Sequence, residues 1–417
     1  MSSAAGRSAG RGRTLLLNLL LAVFSLLLTA ALAEVLARAW VEVELARARA
    51  DAPEVPLSRF HPVLGWEKTP LAAQRITRPE FDITLKVNSR GLRGPERDYP
   101  KPPGTRRLLI LGDSFAAGYY VDEEQTLRAV LEGLLTTGGC GPAEVINGGT
   151  IAYSTDQEYL FYKTEGRRYA PDAVLLAFYY NDLYYNASPT GPGGEAKPYF
   201  EINGDALGLP NTPLRAPVSS DARNRANPGT NRPQPWRGSM ALRLLSRRTV
   251  DAAPRLHAFL ARFGLVQPPA HDPPREYRVF GLDHPREVSD MWARTRLLLK
   301  ALRDDMLADG ARLVLLYVPV RFEANDEAWE LTRQRYRWGR RWDRGRVFER
   351  LAAIAGELAI PLVDPRDELR RTETGGWPTY YTRDVHWTSH GNAVAAHAAE
   401  REVRRALGCA SGPNEGP

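Results

Sequence analysis

The sequence predicts an α/β fold built on a parallel, doubly wound sheet, and two observations favour it. Residues 108–111 (Leu-Leu-Ile-Leu) are wholly apolar, as expected of a parallel strand buried on both faces, and Gly112 allows a sharp turn at its end. Apolar strand patterns then alternate with helical patterns along the chain, which is the element order of a doubly wound sheet. The other predicted strands span residues 144–147, 173–178, 312–318 and 360–363.

Helices are predicted between these strands. A helix that starts at Asp122 carries its apolar residues at helical spacing on one face and ends at the glycine pair 138–139. Thr388 is placed to cap a final helix that reaches about residue 407. The remaining predicted helices cover 155–169, 288–308 and 346–358.

Composition bounds the class of protein. With 417 residues the chain can bury a large core, and we expect one domain with an insertion. The net charge of +7 comes from scattered basic residues that form no nucleic-acid-binding module, so no nucleic-acid partner is predicted. Cys140 and Cys409 lack metal-type spacing, and whether they form a disulfide is left open by the sequence.

An apolar run near the amino terminus predicts a membrane anchor. Residues 14–33 contain no charge and are just long enough to cross a hydrocarbon core of about 30 Å. Arg7, Arg11 and Arg13 precede the run and favour a cytoplasmic amino terminus, which places the rest of the chain outside the cytoplasm. Cleavage as a signal peptide is the alternative, because the run ends in Ala-Leu-Ala, and both interpretations export the domain.

The predicted organisation follows from these features. A single-pass cell-membrane protein is expected, with its large domain extracytoplasmic and an irregular insertion lying over the sheet. The segment before the domain reads either as a plain linker or as an ordered approach loop. We divide the chain into a cytoplasmic N-terminus (1–13), a transmembrane anchor (14–36), a stalk and approach loop (37–103), a domain (104–410) with an insertion (184–287), and a tail (411–417).

The strongest chemical signal is a serine after the first strand and an acid–histidine pair far downstream. Ser114 follows Gly112 at the predicted carboxyl edge of the sheet, where open α/β folds place their ligands. A serine hydroxyl needs a base, and the base needs an orienting group. His386 can be the base, and Asp384, two residues earlier, can accept a hydrogen bond from its other ring nitrogen.

Acyl transfer also needs hydrogen-bond donors for the developing oxyanion. Asn181 follows the third strand, so its side-chain amide is expected at the same sheet edge as Ser114. The loop 148–154 follows the second strand and reaches that edge too, so its backbone N–H groups can contribute. A helix or turn cap is the structural alternative for Asn181.

These residues resemble the SGNH/GDSL hydrolase superfamily of esterases, lipases and acyltransferases. The similarity runs from about residue 106 to 408 and omits the insertion. Its ordered blocks are matched by residues 112–115 (Gly-Asp-Ser-Phe), 145–149 with 153–158, 181–182 (Asn-Asp) and 384–387 (Asp-Val-His-Trp).

The resemblance implies a flavodoxin-like three-layer α/β/α sandwich without metal or cofactor. It implies Ser114 as nucleophile, His386 as base and Asp384 as orienting acid. It also implies an oxyanion hole formed by the Ser114 N–H, a second-block N–H, which by alignment is that of Ala152, and the Asn181 side chain.

Three positions depart from the usual blocks. Ala152 stands where the second block has glycine, and Tyr179 replaces the glycine of the third block. Only Val385 separates the acid from the histidine, where two residues are usual. This shorter form resembles the members near polysaccharide O-acetyltransferases.

Together these features predict a serine-dependent esterase that acts on an O-acylated glycan or a related ester. An O-acetyltransferase for an envelope polysaccharide is the alternative, and a catalytically inactive envelope scaffold is a second one. Aromatic residues of the insertion either stack on a sugar or pack the insertion against the sheet. They are Tyr184, Tyr185, Tyr199 and Trp236.

One further stretch has two interpretations. Residues 335–350 interleave arginines with Trp338 and Trp342. This pattern is typical either of a surface for anionic glycans or lipid headgroups, or of a solvated helix face. Of the other histidines, only His390 rivals His386 as a base, and it lacks an acid two residues before it.

Overall fold

A computed structural model describes residues 5–50, 55–216, 239–266, 273–283, 286–339 and 341–409. The chain forms two compact units. One comprises Met1–Ala52 with Ser220–Ala270, and the other comprises Pro53–Ser219 with His271–Pro417. The predicted site residues all fall in the second, larger unit.

The described strands fall into one five-stranded sheet and three hairpins. In chain order they are β1 (Ser58–His61), β2 (Gly65–Lys68), β3 (Ala73–Arg78), β4 (Phe81–Lys86), β5 (Arg106–Gly112), β6 (Ala143–Asn147), β7 (Ala173–Tyr179), β8 (Phe200–Asn203), β9 (Ala206–Pro210), β10 (Arg312–Val318) and β11 (Leu362–Val363).

The described helices both flank the sheet and form the smaller unit. They are α1 (Ala5–Ala50), α2 (Ser114–Ala117), α3 (Leu127–Thr137), α4 (Thr155–Thr164), α5 (Asn181–Asn186), α6 (Met240–Ala252), α7 (Pro254–Arg262), α8 (Arg286–Ala308), α9 (Arg321–Ala324), α10 (Asp326–Tyr336), α11 (Arg346–Glu357), α12 (Arg366–Thr374) and α13 (Ser389–Ala406).

The central sheet is fully parallel and has the strand order β11-β10-β7-β5-β6. Apart from an exposed arginine at the start of β5 and of β10, its central strands are buried because helices cover both faces, which explains their long apolar runs. On one face α3 packs against α13, and on the other α4 packs against α8. The predicted three-layer α/β/α arrangement is therefore confirmed.

The strand order places a topological switch beside β5. The chain passes from β5 to β6 on one side and then to β7 on the other, so the loops after β5 and β7 diverge at the carboxyl edge. Open α/β sheets bind ligands in the crevice at such a point. Ser114 follows β5 and Asn181 follows β7, so the topology brings both residues to this crevice.

The segment 55–103 contains two hairpins rather than a plain linker. Strand β1 pairs with β2, and β3 pairs with β4, both antiparallel. Ile76, Ile83 and Leu85 form a small apolar cluster between the second hairpin and the chain that follows it. The hairpins were not predicted, because their strands are short and their faces alternate only over a few residues.

The helix after β5 begins later than predicted. Residues Glu123–Gln125 form a 3₁₀ turn, and Thr126 rather than Asp122 caps α3. The Thr126 hydroxyl accepts a hydrogen bond from the Ala129 N–H at 3.2 Å. At the other end of this helix, Cys140 forms a disulfide with Cys409, with their Cα atoms 4.8 Å apart. This bond links the chain just before β6 to the end of α13.

The arginine-rich stretch 335–350 is not a continuous helix face, and its tryptophan rings do not form an open surface for an external ligand. Trp338 is buried and stacks on Trp342 with ring centroids 4.3 Å apart. Tyr277 and Phe322 contact the same indole, so the tryptophans pack inside an aromatic cluster. The predicted glycan or lipid surface at these tryptophans is therefore wrong.

The smaller unit contains the apolar amino-terminal helix. Within α1, the segment Leu16–Glu44 is apolar enough and long enough to cross a membrane, and it is the one such segment among the described residues. In the same unit, the Glu34 carboxylate accepts hydrogen bonds from the N–H groups of Met240 and Ala241, both at 3.0 Å. These bonds satisfy backbone donors at the start of α6.

Candidate active site

Ser114 lies at the first position of α2, directly after the sharp turn that ends β5. Gly112 has a φ of 148°, and a Cβ there would lie 2.7 Å from the Cβ of Ala116. Only glycine therefore fits where the strand turns into the helix. The Asp113 carboxylate caps α2 by accepting from the Phe115 N–H at 2.9 Å, and burial raises the pKa of Asp113 to about 6.

The serine, the histidine and the aspartate meet in space although 272 residues separate the first two. Ser114 Oγ lies 2.7 Å from His386 Nε2. His386 Nδ1 forms a short hydrogen bond with Asp384 Oδ1. With Nδ1 protonated toward the carboxylate, Nε2 is free to accept the serine proton, which is the arrangement that nucleophilic catalysis needs.

The single-residue spacer between acid and base is compatible with this geometry. The His386 backbone N–H also donates to Asp384 Oδ1, at 3.0 Å, so ring and backbone share one acceptor. Val385 points outward and is 47% exposed. Partial burial raises the pKa of Asp384, but the hydrogen bond and charge of His386 outweigh it and hold this pKa below its usual value. The carboxylate therefore stays ionised to orient the imidazole.

Aromatic rings fix the plane of the imidazole. The His386 ring lies between Tyr120, with centroids 4.1 Å apart, and Phe115, at 4.7 Å. Phe81 of the second hairpin contacts the Tyr120 ring edge-on at 5.0 Å. The orientation of the base thus depends on residues outside the sheet.

The loop after β6 packs directly against the nucleophile helix. A Cβ at Gly149 would lie 2.5 Å from the Ala117 nitrogen, so glycine is required for this close approach. Ala152 has a φ of 61°, the left-handed conformation that favours glycine. The backbone therefore keeps the shape of a glycine position although alanine occupies it, which is compatible with the predicted backbone donor at Ala152.

Asn181 is the first residue of α5, at the same edge of the sheet. Its side-chain Oδ1 is buried and contacts no donor among the described residues. The two ends of an amide have the same shape, so the side chain can equally present its NH₂ group there. The neighbouring Tyr179 is buried and packs on Phe115 at 4.8 Å. Its ring fills space beside the nucleophile that a glycine would leave open.

Lys68, at the end of β2, holds the loop 148–154, hereafter the oxyanion loop. Its Nζ donates to the Gly149 carbonyl at 2.6 Å and to Thr150 Oγ1 at 2.7 Å. Burial lowers the pKa of Lys68 to about 7. The side chain crosses from the first hairpin to the predicted oxyanion hole, a role that no sequence motif signalled.

Trp66 of the same strand makes two further connections to this loop. Its Nε1–H donates to the Ile151 carbonyl at 2.9 Å, and its own carbonyl accepts from the Tyr153 hydroxyl at 2.5 Å. The two rings contact edge-on with centroids 5.8 Å apart. Ala152 thus lies between two residues that are tied to the first hairpin.

The second hairpin holds the loop that carries the acid and the base. The Glu80 carboxylate, at the turn between β3 and β4, accepts from the N–H groups of Thr382 at 2.7 Å and Arg383 at 2.8 Å. Phe81 packs against Tyr381 at 5.1 Å. The two hairpins therefore contact different loops of the site, the first hairpin the oxyanion loop and the second hairpin the loop of Asp384 and His386.

A buried polar cluster supports α4 and α5 beneath the site. Lys197 and Asp156 form a fully buried ion pair, and Lys197 Nζ also donates to the Tyr185 carbonyl at 3.0 Å. Burial raises the pKa values of Glu158 and Asp182 well above their ordinary range, and repulsion from neighbouring carboxylates adds to the effect. Burial therefore favours the neutral forms of these two carboxyl groups.

The aromatic residues predicted for sugar stacking have other contacts. Tyr185 is buried and donates to Glu276 at 3.0 Å, and Tyr199 hydrogen-bonds with Arg294. Tyr184 packs against the main core, and Trp236 lies outside the described residues. The described members of this set therefore pack the insertion against the domain.

Two remaining features of the site are the position of the second candidate base and the arrangement of possible metal ligands. His390 lies in α13 with its ring 4.9 Å from that of Trp377, and it is His386 that contacts Ser114. Among the described residues no group of histidine, cysteine, aspartate and glutamate side chains is arranged to hold a metal ion.

Comparison with protein families gives a match over the carboxyl-terminal third of the chain. Residues 282–415 match the family model described as "SGNH hydrolase-like domain, acetyltransferase AlgX". The match includes Asp384 and His386 and begins well after Ser114. The predicted resemblance to the SGNH/GDSL superfamily is confirmed. A search of curated proteins finds no match.

Several solved structures match much of the chain at low sequence identity. TesA is 10% identical and covers 72% of this chain and 99% of its own, with a TM-score of 0.36. A catalytic mutant of Axe2, an acetylxylan esterase from Geobacillus stearothermophilus, is 13% identical. It covers 73% of this chain and 95% of its own, with a TM-score of 0.35. A lipase/acylhydrolase from Enterococcus faecalis is 13% identical and covers 72% of this chain and 96% of its own, with a TM-score of 0.35.

Proposed function

We propose that this chain, an SGNH-type esterase or acyltransferase by its family match, forms an acyl-enzyme on Ser114 and hydrolyses O-acyl esters of glycans outside the cytoplasm. The observation that carries the proposal is the continuous contact from Ser114 Oγ through His386 to Asp384. Geometry of this kind converts an unreactive hydroxyl into a nucleophile.

Acylation follows from the contacts of these three side chains. His386 Nε2 takes the proton of Ser114 Oγ as this oxygen bonds to the ester carbonyl carbon, while Asp384 holds the Nδ1–H and stabilises the imidazolium. Ala152, through its backbone N–H, and Asn181, through its side chain, donate to the oxyanion together with the Ser114 N–H. His386 then gives the proton to the departing alkoxide, which leaves Ser114 acylated.

Deacylation repeats these steps with water. His386 accepts a proton from the water molecule as its oxygen bonds to the acyl carbon, and returns that proton to Ser114 as the carboxylic acid leaves. The site allows water to enter, since Asp384 is about one-third exposed. Hydrolysis is therefore our first candidate for the second step.

Acyl transfer to a sugar hydroxyl is the second candidate, and the family match supports it. The matched description names an acetyltransferase. Transfer uses the same acyl-enzyme, with a sugar hydroxyl in place of water. Acetyl donor is supplied with and without oligosaccharide acceptors. Free acetate equal to the donor consumed, with or without an acceptor, would support hydrolysis. Acetylated sugar formed at the expense of free acetate would make transfer the first candidate and hydrolysis the second.

Location outside the cytoplasm rests on two features. The helix segment Leu16–Glu44 can serve as an anchor or as a signal, and disulfides such as Cys140–Cys409 persist in oxidising compartments. A reporter enzyme that is active only outside the cytoplasm is expected to be active when it is fused after Pro417. An inactive reporter in this fusion would contradict this placement.

The catalytic assignment is tested by the variant Ser114→Ala with a small activated acetate ester. We expect turnover to fall by at least about 10³-fold, since loss of one triad member removes covalent catalysis. Ser289→Ala, at an exposed position of α8, is the matched control and should retain wild-type turnover. Activity of Ser114→Ala within a few-fold of wild type would end the assignment.

A further inference from the structure

A cleft opens beside the oxyanion loop and has no role in the chemistry described above. It has a volume of about 360 Å³, and its inner wall contains Ile151 and Ala152. Its other walls come from the first hairpin and from the turn 191–196. The position matters because a group bound there lies next to the backbone that holds the oxyanion.

The cleft is a built feature of the fold. A Cβ at Gly65 would lie 2.5 Å from the Ala196 carbonyl oxygen, and a Cβ at Gly191 would lie 2.6 Å from the Trp66 ring. Glycines at both positions let the turn approach the hairpin closely. The turn is also fixed at its end, because the next residue, Lys197, is fully buried in its ion pair with Asp156.

The lining combines apolar faces with a polar rim. Phe60 and Trp66, which are partners in the hairpin register, supply aromatic surface, and Pro192 faces them from the turn. Arg59 and Glu195 supply charged hydrogen-bonding groups at the same cleft. Sugar rings have this dual character, with C–H faces that pack on aromatic side chains and hydroxyls that bond to carboxylate and guanidinium groups.

The size of the cleft argues against a site for the acyl group alone. Small-molecule sites typically span about 300–1,000 Å³, and the cleft lies within that range. A two-carbon acetyl group would leave most of it empty. The cleft therefore fits the larger part of the substrate, which is the alcohol portion of the ester and not its acyl group.

We propose that this cleft binds the sugar ring whose hydroxyl carries or receives the acyl group, with Trp66 and Phe60 as its apolar wall and Glu195 at its rim. The proposal rests on the function proposed above and deepens it. It holds for both hydrolysis and transfer, because the same ring donates the acyl group in one case and accepts it in the other.

Filling the cleft tests the proposal. Ala196 is exposed and lines the cleft, so Ala196→Trp should occupy it without disturbing the core. Ala353→Trp, on the exposed face of α11, is the matched control. Binding is measured by calorimetry in the Ser114→Ala background, which prevents turnover, with acetylated tetrasaccharides of neutral and of acidic hexoses as probes.

We expect Ala196→Trp to weaken binding at least tenfold and Ala353→Trp to leave the dissociation constant unchanged. Phe60→Ala, which removes an aromatic wall instead of adding bulk, should also weaken binding several-fold. Unchanged affinity in both cleft variants, or no binding of any probe, would overturn the proposal.

Two further readouts separate this proposal from others. Turnover of acetate and octanoate esters is compared in the wild type and in Ala196→Trp. Selective loss of octanoate turnover with intact oligosaccharide binding would mean that the cleft holds the acyl chain, against the proposal. Turnover of the acetate ester that is insensitive to Ser114→Ala would instead sink the proposed function, independently of the binding result.

Discussion

The active site is supported by two regions that differ in how the sequence encodes them. At the sheet edge, Ser114 and Asn181 each directly follow a buried strand, and the motif and the position coincide. In the hairpins, Lys68 and Glu80 lie in short strands or turns without a motif, yet each contacts a loop of the site. The comparison shows that the chemistry is encoded locally, whereas its positioning is encoded by packing over long sequence distances.

The largest effect is expected at the sheet edge. If Asn181 donates to the oxyanion, Asn181→Ala should lower kcat by about 10²–10³-fold with little change in KM, since the donor acts mainly in the transition state. The measurement is steady-state kinetics on an acetate ester. A rise in KM with kcat unchanged would mean that Asn181 positions the substrate or caps α5 instead.

Lys68 provides the sharpest test of the first hairpin. Lys68→Met keeps the apolar stem but removes both hydrogen bonds to the oxyanion loop, and we expect kcat to fall by about 10- to 10²-fold because small misplacements of catalytic groups are costly. Lys86→Met, at an exposed position of β4, is the matched control. Unaltered kcat in Lys68→Met would mean that the hairpin does not position the oxyanion loop.

The same residue predicts a pH dependence of stability. The pKa of Lys68 is lowered to about 7 in the folded chain from an unfolded value of 10.5. Below about pH 7 both states bind the proton and the cost of burying the charge is fully present. Between pH 7 and 10.5 the unfolded chain binds the proton and the folded chain does not, so this residue makes stability rise with pH. Denaturant unfolding at pH 7 and pH 9.5 should show a smaller rise in Lys68→Met, and an equal rise would contradict the prediction.

A smaller effect is expected at the second hairpin. Glu80→Ala removes the acceptor for two N–H groups of the acid–base loop, and these groups can turn to water because the contact is exposed. We expect turnover to fall about two- to fivefold, corresponding to about 0.5–1 kcal/mol. Glu80→Gln keeps one acceptor oxygen and should lose less. A loss greater than that of Lys68→Met would reverse the ranking of the hairpins.

The smallest effect is expected at Ala152. Ala152→Gly keeps the backbone N–H and relieves a left-handed conformation that costs alanine about 1–2 kcal/mol, partly offset by the entropy cost of glycine. Turnover should stay within about twofold of wild type, and thermal denaturation should show equal or slightly higher stability. A large loss of turnover would mean that the Ala152 methyl group contacts the substrate.

The sheet and the triad could be predicted because each depends on a local pattern. Buried parallel strands are continuous apolar runs, and the residues after them are fixed by topology, so Ser114 and Asn181 could be placed together. The pairing of Asp384 with His386 could be predicted because the two residues are only two positions apart in the sequence. The position of Ala152 came from its place in an ordered block.

The remaining contacts could not be predicted because they depend on tertiary packing. In the sequence, Lys68 has the features of a solvated surface charge. Only folding brings its side chain to Gly149, 81 residues away. Trp338 and Trp342 have the spacing of a surface stripe, but burial decided their role. The helix start moved from Asp122 to Leu127 because a 3₁₀ turn competes for the first residues, a difference that spacing alone does not resolve.

The account is tested most directly by trapping the acyl-enzyme. The wild-type protein is mixed with excess acetate ester, quenched in acid within the first turnover, digested and examined by mass spectrometry. The account predicts an acetyl group on the peptide that contains Ser114, and no acetylated peptide in Ser114→Ala. Turnover of the ester with the acetyl group on another residue, or with no covalent intermediate under conditions that trap a serine esterase, would contradict it.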